Sequence, residues 1–113
     1  MLFRSVKDIF DFNAMAESRT GSARDKVYDF VAKTDQIDLG GIDASTAKTG
    51  DQAFAFSGST AKANSVWYKA ADVDGSATTK DIVIYGDVTG DAKADFEIGL
   101  VGVTAVAAAD FVL

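Results

Sequence analysis

The chain contains no cysteine, no histidine and no proline. Without cysteine or histidine it can form no thiol nucleophile, no zinc site built on those ligands and no Ser-His-Asp triad. With no disulfide available, a fold of this size must rest on its core or on bound ions. With no proline, turns depend on glycine, asparagine and aspartate. Glutamate is scarce as well: 15 of the 17 acidic residues are aspartate. Aspartate is the acid of turns and a poor residue for helix interiors, so this bias predicts many acidic turns. Those turns could be solvated and bonded to their own backbone, or some could bind Ca²⁺, a hard cation that takes oxygen ligands. The net charge of −6 argues against nucleic acid and against an anionic membrane surface. No apolar run is long enough for membrane insertion. Met1–Phe12 carries Arg4, Lys7, Asp8 and Asp11 and lacks the unbroken apolar stretch of a cleavable signal peptide. A secreted form is therefore expected to leave by a route that does not read the N-terminus.

Apolar residues make up 48% of the chain, enough to fold, and they recur with period two rather than 3.6. The alternation predicts an all-β single domain over 1–113. Phe10 and Phe12, Tyr28 and Phe30, Ile37 and Leu39, and Phe54 and Phe56 are expected to share faces in short strands. The segments NSVWYKA, KDIVIYGDV and ADFEIGLVGV, rich in β-branched and aromatic residues, give the strongest strand signals. Trp67 and Tyr68 should point to opposite faces, one to the core and one to solvent. Up to about residue 45 the strands and turns are short, as in successive rungs of a parallel coil. From about 53 to 113 the strands lengthen and turn signals at Asp72–Gly75 and Thr89–Asp91 predict antiparallel hairpins. Short helical turns are expected at Ala14–Ser18 and at Thr104–Ala109, the second capped by Thr104.

Several segments resemble, in order, the C-terminal domain of serralysin-type metallopeptidases and other RTX secreted proteins. That family shows D-x-F-x-F-x-S-x-x-(D/E)-S, matched here by Asp8, Phe10, Phe12, Glu17 and Ser18 with Ala14 in place of the serine. It shows D-x-(I/V)-x-D-F, matched by Asp25, Val27, Asp29 and Phe30, and D-x-I-D-L-S-x-I-D-A, matched by Asp35, Ile37, Asp38, Leu39, Ile42, Asp43 and Ala44 with Gly40 in place of the serine. GDQAFAF, GDVTGDAKADFEI and the final ADFVL resemble its later segments. The resemblance implies a secreted, non-enzymatic module that continues and caps a calcium β-roll and carries a type I secretion signal. Its partners would be the type I exporter and upstream RTX repeats or a passenger domain. The signal would be Asp110, Phe111, Val112 and Leu113; the same alternation also fits an ordinary edge strand. The glycine- and aspartate-rich nonapeptides of the family are not seen, so the calcium roll is expected to be missing here or cut away. That would leave an exposed rung near Phe3–Phe12, open to homodimerisation.

The stretch Gly86–Ile98 is the candidate calcium loop. Against an EF-hand-like loop, Asp87, Thr89, Asp91 and Asp95 fall at liganding positions. Ala92 stands where glycine is usual, Ile98 where a bidentate glutamate is needed, and Lys93 adds a positive charge beside the site. A polar hairpin turn is therefore favoured over the metal loop. A second acidic set, Glu17, Asp25, Asp35 and Asp38, could gather on adjacent rungs, although turn capping is the commoner use of such acids. Two other functional classes stay open: a stand-alone secreted binding domain for carbohydrate or a protein partner, and a small carboxylate hydrolase.

Overall fold

A computed structural model describes residues 9–12, 24–28, 30–45, 49–50, 52–73, 75 and 80–113. Its strands are β1 (Ile9–Asp11), β2 (Asp25–Val27), β3 (Gln36–Asp38), β4 (Ala55–Phe56), β5 (Ser65–Ala70), β6 (Asp81–Gly86), β7 (Phe96–Val101) and β8 (Phe111–Val112). They form two sheets, β1-β3-β8 and β2-β7-β6-β5-β4. The chain crosses from the first sheet to the second and back through β1, β2 and β3. It then leaves on a long excursion and returns as β7, parallel to β2, and β8, parallel to β3. The parallel coil begun by the first three strands is thus resumed by the last two, and the antiparallel β5-β6-β7 meander extends one of its walls.

One buried cluster fills the space between the sheets. Ile37 and Phe111 come from the small sheet, and Val66, Ile82, Ile84, Ile98 and Leu100 from the large one. Each such side chain, removed from water, stabilises the fold by about 1.5–3 kcal/mol. Period two explains the choice: Ile82 and Ile84 face this core from one side of β6, with Ile98 and Leu100 opposite them on β7. Phe54 meets Phe96 edge to face, with centroids 5.8 Å apart, and Phe56 lies 5.5 Å from Phe111. The second contact brings the β4 region against the closing strand β8.

The structure corrects several expectations. β4 pairs with β5 in parallel, Ala55 opposite Ser65, so the hairpin pattern starts only at β5. β2 ends at Val27, which is buried, and Tyr28 is exposed rather than sharing an inner face with Phe30. The second helical turn is a 3-10 turn at Ala108–Asp110, capped not by Thr104 but through Asp110, whose carboxylate accepts the Ala107 N–H at 2.8 Å. The Ala14–Ser18 turn lies outside the described residues. Trp67 and Tyr68 do face opposite ways, but neither is free: Tyr68 packs on the core and Trp67 is only 4% exposed. Trp67 stacks on Tyr85 at 5.9 Å on the outer face of the large sheet. Beside it Val73 folds back over Gly99, where an added Cβ would stand 2.7 Å from Val73 Cγ1. A second buried layer, including Val83, therefore covers a face that alternation alone would leave wet.

Candidate metal centre

The β6–β7 connection begins at Asp87 and ends at Asp95, whose N–H donates to the Gly86 carbonyl at 2.7 Å. Gly86 is opposite Phe96 in the ladder, and the Phe96 ring occupies the space a side chain at Gly86 would need. This pairing seats the turn tightly on the core. One carboxylate oxygen from each of Asp87, Asp91 and Asp95 lies within 4.8 Å of the others, a spacing at which three acids could hold a cation.

The hydrogen bonds describe what those oxygens already do. Asp87 is fully buried. Its Oδ1 accepts the main-chain N–H groups of Thr89 at 2.9 Å and Gly90 at 3.1 Å. Its Oδ2 accepts those of Ala92 at 2.9 Å and Asn64 at 3.1 Å. The Thr89 hydroxyl lies 3.2 Å from Asp87 Oδ1 and 3.4 Å from Asp95 Oδ2. Asp95 Oδ2 accepts the Val88 N–H at 2.8 Å, and exposed Asp91 accepts that of Lys93 at 3.0 Å. Burial opposes the charged form of Asp87. The N–H groups of Ala92, Asn64 and Thr89, and Asp95 as a side-chain partner, outweigh it and hold the carboxyl well below the usual carboxylate range. A cation at Asp87 would have to share its two oxygens with the N–H groups that already converge on both.

Buried Asp110 and Asp81 and half-buried Asp43 are used in the same way. Asp110 accepts the Lys33 N–H at 2.6 Å besides that of Ala107. Asp81 accepts from Val73 and Gly102, each at 2.9 Å, and Asp43 from Ser45 at 3.0 Å and Gln52 at 2.8 Å. Each ties together turns remote in sequence. The second acidic set does not assemble among the described residues. Asp25 belongs to the large sheet, Asp35 accepts the Val31 N–H, Asp38 accepts that of Gly40, and Glu17 lies outside the described residues. Asn64 and Asp81 escaped the sequence reading. The signal for Asn64 is its type: asparagine tolerates the left-handed backbone, and its φ is 53°.

The tail is ordered. Phe111 is buried, Val112 is 40% exposed, and the Leu39 N–H donates to the Val112 carbonyl at 2.8 Å. Leu113 packs on the core. No helix among the described residues is long and apolar enough to cross a membrane.

A short parallel coil walled by an antiparallel meander, with many of its acids bonded to the backbone, defines an all-β module of mixed parallel and antiparallel sheets. The chain matches the family model described as Peptidase M10 serralysin C terminal over residues 1–113, and it belongs to that family. The model describes the C-terminal domain of a peptidase family, not its catalytic domain. No curated protein matches the chain.

Proposed function

We propose that the chain is a non-catalytic module that closes a calcium β-roll in an RTX-type secreted protein, with Asp110, Phe111, Val112 and Leu113 as its type I export address. The observation that carries this reading is the asymmetry of the coil. At one end β1 and β2 are edge strands among the described residues, so a preceding rung could stack on both. At the other end β8 is also an edge strand, but its Phe111 packs against Phe56, and the large sheet runs on past the coil through β6, β5 and β4. Family membership supports secretion and attachment to upstream repeats or a passenger. Nothing in the structure supports the homodimer expected from the sequence. Trp67, the natural platform for a sugar, is covered, so no observation favours the carbohydrate reading.

In the folded domain Asp110 and Phe111 are both buried. An exporter would therefore read them before the strand pairs, and folding would follow export. The test is fusion behind a passenger in a strain with a type I exporter. Deleting Phe111–Leu113 should abolish passenger in the medium. Val112→Asp, at an exposed position, separates recognition from folding: it should impair export while leaving the melting temperature nearly unchanged. Full export of both variants would refute the address.

A further inference from the structure

We infer that Asp87 is the internal anion around which the β6–β7 turn closes, main-chain N–H groups supplying the compensation a divalent cation would otherwise give, so that this turn forms without metal. The inference is independent of the export reading. Three observations carry it. The carboxylate is buried with two N–H donors on each oxygen, which uses its acceptor capacity. The donors arrive from two directions: Thr89, Gly90 and Ala92 within the turn, and Asn64 from the start of β5. Asn64 also donates its side-chain amide to the Ala44 carbonyl at 2.7 Å, so it bridges the turn to a third segment. Finally, Ala92 is held at φ 61°, a left-handed conformation alanine resists, and in it the Ala92 N–H reaches Asp87 Oδ2. Among the described residues no buried side-chain nitrogen or oxygen lacks a hydrogen-bond partner, so the buried oxygens of Asp87 need no ion to satisfy them. A carboxylate bonded this way is worth more than neutral acceptors, because each bond is charge-assisted.

The isosteric change Asp87→Asn tests the donor pattern. The amide oxygen can still face two N–H groups, but the amide nitrogen would confront the other two with its own hydrogens. Thermal melts of the whole chain in millimolar calcium chloride and in chelator are the readout. The wild type should shift by less than about 1 °C between the two. Asp87→Asn should melt at least about 5 °C lower in both, whereas Asp91→Asn should change little in either. A calcium-dependent rise of several degrees in the wild type that disappears in Asp91→Asn or Asp95→Asn would overturn the inference, as would an Asp87→Asn chain as stable as the wild type. A calcium shift that survives both substitutions belongs elsewhere on the chain and leaves the turn metal-free. Should Asp87→Asn fail to fold, calorimetric titration of the wild type and Asp91→Asn with calcium decides alone: equal heats support the inference, and heat lost in the variant refutes it.

Discussion

The parallel coil and the antiparallel meander are closed by the same chemistry over very different chain distances. In the meander, Asp87 draws three of its four N–H partners from the next five residues. In the coil, Asp110 reaches Lys33 across 77 positions. Strand pairing follows suit. β5, β6 and β7 pair with sequence neighbours, whereas β8 pairs with β3 and β7 with β2 across most of the chain. Local closure lets the meander form from its own segment, while the coil depends on the last residues being present. Loop-closure entropy makes the second arrangement the more conditional one.

Removing Asp110–Leu113 gives the largest expected effect on this contrast. Loss of the buried Phe111 ring alone should cost about 3–5 kcal/mol, and the Lys33 and Leu39 N–H groups lose their acceptors. Hydrogen exchange should show Ile37–Leu39 losing protection while Ile82–Tyr85 keep most of theirs. Equal loss in both segments would break the distinction between the halves.

Gly86→Ala strikes the meander instead. Its Cβ would stand 2.1 Å from the Phe96 ring, which is pinned by Phe54. Overpacking of this kind should cost about 1–3 kcal/mol in urea unfolding. Gly99→Ala should cost less, because the atom it meets is the end of the Val73 side chain.

The acid limb of stability sharpens the role of the turn. The folded-state carboxyl of Asp87 titrates below its unfolded value of about 3.9. Its contribution is therefore complete above that unfolded value and is lost as pH falls through it toward the folded one. Asp87→Asn should flatten that limb in melts taken across acidic pH. With no histidine present, no imidazole adds a slope between roughly pH 5.5 and 8.

The smallest effect is a gain. Ala92→Gly relieves a left-handed alanine at the cost of a freer unfolded chain, for a net stabilisation of a few tenths to about 1 kcal/mol. A loss on this change would mean that the turn does not need its left-handed residue.

The sequence pattern made the meander legible because its strands alternate over six residues and its turns are short. Alternation in KDIVIYGDV and ADFEIGLVGV groups Ile82 with Ile84 and Phe96 with Ile98 and Leu100, and the structure turns those groups to the core. The parallel β4–β5 pair was not readable, since a two-residue strand carries no register signal. The expectation that one of Trp67 and Tyr68 meets solvent failed because the cover over the Trp67 face comes from folding, not from alternation. The acidic turn was legible as a place and the gathering of Asp87, Asp91 and Asp95 followed from their spacing. The Asn64 donor, 23 positions earlier, follows from no local pattern.

The order of strands also sets a clock. Ile37 and Phe111, partners in the small sheet, are 74 positions apart. At roughly 5–20 residues per second, β3 is synthesised roughly 4–15 s before β8 exists. During that interval the half-built coil has no second neighbour on that side and stays open to whatever holds nascent chains loose.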